Sequence, residues 1–252
     1  MSVAPAGGPS LGVVDWSDYD AALFDLDGVL TPTAEVHMRA WDVMFNDYLR
    51  GRGDGEQPYT DADYFASVDG KPRYDGVRTF LASRGITLPE GTPDDGPDQE
   101  TVCGLGNRKN NAFGQVLHDE GVKPYPASVV LLDHLAELGV AVAVVSSSRN
   151  APAVLEAAGL AERFEVVVDG QVAAARGLPG KPAPDTFLYA AEQLGVPRER
   201  AVVLEDALSG VQAGRAGDFG LVVGVDRGAG AQELRDGGAD LVVAELDELV
   251  RP

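Results

Sequence analysis

The 252-residue chain has one cysteine, Cys103, and that scarcity removes two architectures at once. No intramolecular disulfide can form, and no cysteine-built zinc cluster can assemble. Positive charge is short as well: 20 lysines and arginines face 40 aspartates and glutamates, for a formal charge of −20 at pH 7. A field of that sign repels nucleic acid and anionic membranes, so neither is an expected partner. It also repels phosphorylated metabolites at long range, so any phosphate site must be built locally, from metal ions and a few cations. No apolar run approaches the roughly 20 residues that span a bilayer. The opening MSVAPAGGPSLGVV lacks the basic start and apolar stretch of a signal peptide. It reads as a flexible tail over residues 1–16, and the chain reads as a cytoplasmic monomer. A P-loop is absent, and GLGN and RGAGA lack the strand–turn–helix context of a dinucleotide site.

What is there is regular. With 44% apolar residues the chain can build a substantial core. From residue 125 onward, Val-rich runs (VAVAVVSSS, FEVVVDG, AVVLED, GLVVGVD, ADLVVA) alternate with helix-like stretches such as SVVLLDHLAELG, APAVLEAAGL, DTFLYAAEQLG and SGVQAGRAG. Nearly continuous apolar runs mark strands buried on both faces, and their alternation with helices predicts a parallel, doubly wound α/β sheet. Ligands of such sheets sit beyond the carboxyl ends of the strands. The runs end there in polar residues: Asp25 and Asp27, then Ser146 to Ser148, then Glu205 and Asp206. Between the first strand and Tyr125 the pattern is helical instead. AEVHMRAWDVMFNDYLRG predicts one helix and ADYFASVDGKPRYDGVRTFLASRG two more. TLPEGTPDDGPDQE is an acidic loop, and CGLGNRKNNAFGQVLHDEGV reads as a glycine-containing loop running into a helix. The expected division is a core over 17–32 and 118–252, with a helical insertion at 33–117.

FDLDGVL, VVSSS, GKPAPDTF and VLEDALSGVQAG, in that order, resemble the four-motif signature of the haloacid dehalogenase superfamily. Within it the chain resembles the beta-phosphoglucomutase family, whose Rossmann-like core carries a helical cap inserted after the first motif. The resemblance covers nearly everything after residue 18. It implies phosphoryl transfer on a sugar phosphate through an aspartyl-phosphate, with Mg²⁺ as cofactor. The residues agree with it chemically. Asp25, at a strand tip, can attack phosphorus, and Asp27 can protonate the leaving oxygen and later deprotonate the incoming hydroxyl. Dehalogenases of the superfamily lack the second aspartate, so Asp27 favours phosphoryl transfer. Ser146 would donate to a phosphoryl oxygen, and Lys181 would neutralise the transferring group and orient Asp25. Asp25, the carbonyl of Asp27, Glu205 and Asp206 form the expected oxygen-donor set for Mg²⁺. Two like charges about 4 Å apart cost on the order of 4 kcal/mol at an effective dielectric near 20, so the cluster calls for a cation.

The resemblance also implies substrate contacts. His37 matches the family's histidine on the first cap helix. Arg73 aligns with the arginine for the distal phosphate, and Lys109, ahead of Arg108, with a second cationic point. Arg149 and Asn150 match residues near the non-transferring phosphate. A cap closing over the site would bring these groups inward and exclude water. Three features depart from the family: Pro32 replaces an aspartate, GKPRYDG replaces the usual substrate motif, and residues 87–100 form an acidic extension. They bear on the substrate rather than on the phosphoryl chemistry. Two reactions share these motifs. A mutase would interconvert beta-glucose 1-phosphate and glucose 6-phosphate, with glucose 1,6-bisphosphate as activator, and would use the paired cations. A sugar-phosphate phosphatase would hand the phosphoryl group to water. A phosphoacceptor signalling domain places its acidic pair at the first strand and is about half this length. A non-catalytic sugar-phosphate binder would have no use for Asp27.

Overall fold

The computed structural model describes residues 14–53, 55–68, 71 and 73–250. The chain divides into two compact units, Met1–Pro32 with Lys123–Pro252, and Thr33–Val122. In chain order the elements are β1 (Ala21–Phe24), α1 (Thr33–Arg52), α2 (Asp61–Ser67), α3 (Arg73–Ser83), α4 (Val102–Glu120), α5 (Pro126–Leu138), β2 (Ala141–Val145), α6 (Ala151–Ala157), β3 (Val166–Val168), α7 (Gly170–Arg176), α8 (Asp185–Leu194), β4 (Ala201–Glu205), α9 (Leu208–Ala216), β5 (Leu221–Val225), α10 (Ala231–Asp236) and β6 (Leu241–Val243).

The larger unit is a six-stranded parallel sheet in the order β3-β2-β1-β4-β5-β6. Every residue of β1 and β4 is buried, which is why those strands read as unbroken apolar runs. The strand order reverses at β1, so the crevice beside its carboxyl end is where a ligand of this fold sits. Asp25 follows β1 directly, Ser146 follows β2, and Glu205 closes β4. The end of the sheet that holds the polar residues is therefore its switch point. Of the expected tail, residues 1–13 lie outside the described residues. Val14 and Trp16 are buried, and the Trp16 indole donates to the Leu249 carbonyl at 3.1 Å. Apolar side chains that find a core do not trail, so Val14 and Trp16 belong to the packed unit and not to a tail.

The helical unit has its own core. Trp41, Phe45, Tyr59 and Phe80 pack as an aromatic stack, with the Phe45 and Phe80 ring centres 4.1 Å apart. The sequence boundary after residue 117 falls inside α4, and the unit ends at Val122. The predicted loop at CGLGN is also helix: Thr101 caps α4 by accepting from the Gly104 amide at 2.9 Å. Gly106 is there for packing. A Cβ at that position would stand 2.6 Å from the Tyr74 ring, so α3 and α4 approach as only glycine permits. The acidic extension is tied down rather than loose. Asn107 donates to the carbonyls of Pro93 and Asp95, Arg108 to that of Pro97, and Arg78 pairs with Glu90.

Candidate active site

After β1 the chain makes one more sheet bond, Asp25 amide to Leu204 carbonyl at 2.9 Å, and then turns. The turn Leu26–Thr31 closes on itself through Leu30 and Thr31 amides to the Leu26 carbonyl and the Gly28 amide to the Thr31 carbonyl. Gly28 sits at φ +84°, and a Cβ there would lie 2.0 Å from Asp206 Oδ2. The turn conformation and the approach of Asp206 both exclude a side chain at this position. The β1 and β4 tips are thereby set side by side.

Lys181 lies at the centre. Its ammonium donates to Asp25 Oδ1 at 2.5 Å, to Glu205 Oε1 at 2.6 Å and to the Val145 carbonyl at 2.9 Å, against the Phe187 ring. Only 6% of the side chain is exposed. Burial opposes its charge most strongly, but attraction to Asp25 and Glu205 outweighs burial and raises the lysine above its usual range. Glu205 is fully buried, and its other oxygen accepts from the Ala207 amide at 3.0 Å. Burial pushes its carboxyl up while Lys181 pulls it back. Asp206 is pushed up to about 8, first by burial and then by the charges of Asp25, Glu205 and Asp27. Such crowding of carboxylates is what a bound divalent cation offsets.

Among the described residues no three His, Cys, Asp or Glu side chains converge as a ready-made cage. Both Glu205 oxygens are engaged, one by Lys181 and the other by the Ala207 amide, so this carboxylate also anchors the lysine. Asp25, Asp206 and the Asp27 carbonyl are the other oxygen donors of the expected set. That set suits Mg²⁺, which takes one or two carboxylates and keeps waters and substrate phosphate oxygens for the rest.

The other expected residues fall into two groups. Ser146 is buried, and its hydroxyl accepts from the Ser148 amide at 3.1 Å, which shapes the loop that carries Arg149 and Asn150. The Asn150 amide in turn donates to Ser148 Oγ at 3.1 Å, and the Arg149 carbonyl accepts from Gln171. In the helical unit, His37 Nδ1 stands 2.6 Å from Lys109 Nζ, with the imidazole stacked on Phe113. Burial first, and Lys109 second, hold His37 down to about 3, so the imidazole is neutral and accepts from the ammonium. Arg73 donates to Asn110 at 3.0 Å, with Tyr74 and Asn107 as further neighbours. Arg73 and Lys109 therefore have separate partners. Sequence reasoning missed Asn107, Asn110 and Phe187, and also Gly210, where a Cβ would lie 1.7 Å from Glu205 Oε1.

The comparisons agree with this geometry. A family model for haloacid dehalogenase-like hydrolases matches residues 19–218. The beta-phosphoglucomutase of Mycobacterium bovis is 51% identical over 238 residues, covering 91% of each chain. The fructose-1-phosphate phosphatase of Escherichia coli is 31% identical over 204 residues, 81% of this chain and 95% of that one. Among solved structures, the beta-phosphoglucomutase of Clostridium difficile superposes with a TM-score of 0.66 at 26% identity, covering 92% of this chain and 93% of that one. With the four motifs assembled at the switch point of its sheet, and with relatives of this kind over most of its length, the chain belongs to the haloacid dehalogenase-like hydrolase family.

Proposed function

We propose that the chain interconverts beta-glucose 1-phosphate and glucose 6-phosphate by phosphoryl transfer through Asp25. The observation that carries the chemistry is the Lys181 bridge between Asp25 and Glu205, at 2.5 and 2.6 Å. It fixes the nucleophile and places positive charge where the negative charge of the phosphoryl group collects. Asp25 attacks phosphorus through Oδ2, the bond from phosphorus to the leaving oxygen breaks, and Asp27 gives that oxygen its proton. Asp27 then takes the proton of the next hydroxyl as its oxygen attacks the aspartyl-phosphate, which frees Asp25 as carboxylate. In a mutase that hydroxyl belongs to the sugar, and the phosphate sits on both positions of a bisphosphate between the two steps. Asp25, Asp206 and the Asp27 carbonyl hold Mg²⁺, which when bound neutralises phosphoryl and carboxylate charge. Ser146 donates to a phosphoryl oxygen. Arg73, Lys109 with His37, and Arg149 with Asn150 recognise the sugar phosphate. The 51% identity to a mycobacterial beta-phosphoglucomutase supports the choice of sugar.

The fructose-1-phosphate phosphatase relative favours a second reading, in which water takes the phosphoryl group from Asp25. One assay separates them: purified protein, Mg²⁺, beta-glucose 1-phosphate and a trace of glucose 1,6-bisphosphate, with glucose 6-phosphate and free phosphate followed together. Glucose 6-phosphate without phosphate release is the expected result. Phosphate release without isomerisation overturns the mutase reading, and silence in both channels overturns the choice of sugar.

A further inference from the structure

The turn that presents Asp27 is held from outside in an orderly way. Three successive carbonyls each accept from a residue far along the chain. Gly28 accepts from Arg227 Nε at 2.9 Å, Val29 from the Ser128 hydroxyl at 2.7 Å, and Leu30 from the Tyr125 amide at 3.0 Å. Two of these donors are neutral and follow from where α5 begins. The third is a charged side chain reaching from the loop after β5, only 18% exposed. Its guanidinium is fixed in turn: Glu245 grips it with both oxygens, at 2.7 and 3.0 Å, the Ala244 carbonyl accepts at 3.2 Å, and the Tyr125 ring lies 4.0 Å away. A planar, always-charged group stacked on a ring and gripped by a carboxylate is one of the stiffest donors a protein can build.

Gly28 is the point in the turn that most needs such a donor. It has no side chain to pack, and it cannot acquire one, because Asp206 occupies the space. Its carbonyl lies one residue after Asp27, in the peptide that joins Gly28 to Val29, so holding it limits how far the turn can swing beneath Asp27. We propose that Arg227 is a positioning residue for the proton-transfer step. By holding the Gly28 carbonyl, it fixes the turn that aims Asp27 at the leaving oxygen. The proposal rests on the phosphoryl-transfer reading above. The same contacts could serve only to tie the segment at Glu245 to the rest of the unit, and the test separates these roles.

The measurement is the first-turnover rate of Asp25 phosphorylation from two donors, by rapid quench, in wild type and in Arg227→Met. Glucose 1,6-bisphosphate leaves as a sugar alkoxide that needs a proton from Asp27. p-Nitrophenyl phosphate leaves as a phenolate that needs none. A misplacement on the ångström scale can cost about 100-fold, so the ratio of the sugar-phosphate rate to the aryl-phosphate rate should fall about 10- to 100-fold. Glu245→Gln should lower the ratio in the same direction by less. Arg227→Lys keeps the charge but not the fork and should recover little of it. These two variants also carry the test if the methionine variant does not fold, and all are assayed below their melting temperatures. A ratio that stays at the wild-type value, with both rates falling together, overturns the proposal in favour of a tie. Full recovery by lysine also overturns it, because charge and not position would then be the cause. Asp27→Asn supplies the reference. If that variant lowers the ratio and Arg227→Met does not, the positioning role alone is wrong. If Asp27→Asn leaves the ratio unchanged, the role of Asp27 falls and this inference with it.

Discussion

Replacing Gly210 by alanine sets two effects against each other, and the structure says which is larger. Gly210 lies in α9, and an Ala in a helix interior is about 1 kcal/mol more favourable than a Gly, so propensity alone predicts a more stable protein. The added Cβ, however, would lie 1.7 Å from Glu205 Oε1, 1.8 Å from its carboxyl carbon and 2.5 Å from Oε2. Glu205 is 1% exposed, with Lys181 on one oxygen and the Ala207 amide on the other, so there is no open direction for it to move. Breaking a buried ion pair from one side costs about 3–5 kcal/mol, which leaves a net loss of about 2–4 kcal/mol. For a chain of this size that lowers the melting temperature by about 5–15 °C. Because Lys181 then loses one of its two carboxylates, kcat should also fall by at least about tenfold. Thermal melts and steady-state assays at 25 °C check both. A variant that melts at or above the wild-type temperature refutes the reasoning, since Glu205 would then have relaxed without cost.

Two more predictions come from the same geometry. His37 is held down to about 3 in the folded protein, so between there and 6.5 the unfolded chain carries the extra proton and folding weakens as pH falls. From pH 7 to pH 5 this amounts to about 2 kcal/mol, measurable as a steeper loss in urea unfolding than His37→Gln shows, and equal losses would sink the assignment. Gly28→Ala forces a side chain to φ +84° and its Cβ to 2.0 Å from Asp206 Oδ2. The strain costs about 1–2 kcal/mol. The displaced carboxylate should raise the half-saturating Mg²⁺ concentration at least about tenfold, and an unchanged Mg²⁺ requirement would mean that Asp206 is not a ligand.

The core of the site was legible because it sits on strand ends, where an apolar run stopping at a carboxylate is a signal in one dimension. Asp25, Ser146 and Glu205 each follow or end a strand, and parallel pairing brings those ends together. What a strand end does not say is which of two adjacent carboxylates faces inward. Glu205 and Asp206 read as equivalent ligands, and only the packing of Gly210 and the bond from Lys181 show that Glu205 also anchors the lysine. Glycine misled at α4, where Gly106 marks a close helix crossing and not a loop. The run FEVVVDG likewise reads as strand through Gly170, whereas β3 ends at Val168 and α7 begins at Gly170 with Asp169 as its cap. Arg227 was invisible in the sequence. Its partner in the Asp27 turn lies 199 positions away, and nothing local in VDRGAG distinguishes it from a surface arginine.

How a chain with a formal charge of −20 attracts a phosphate can be put to the test at Arg73. Many of its cations are locally cancelled: among the described residues Arg39, Arg78, Arg84, Arg163, Arg200 and Arg215 each pair with an aspartate or glutamate. Arg73 is held differently. Its hydrogen bonds among the described residues go to Asn110, Asn107 and Tyr74, which orient the guanidinium without neutralising it. Orientation by uncharged groups leaves the charge available to a phosphate, whereas orientation by a carboxylate would not. Asn110→Asp probes that difference, because the side chain keeps its shape and its 3.0 Å acceptor position and exchanges the amide NH2 for a negatively charged oxygen. A unit charge about 4 Å away is worth up to about 4 kcal/mol near a protein surface, and solvent screening of the partly exposed Arg73 reduces this to about 1–2 kcal/mol. The KM for the sugar phosphate should therefore rise about tenfold. The melting temperature should hold or rise, since the variant gains an ion pair. An unchanged KM in a folded variant would mean that the charge of Arg73 does not meet the phosphate.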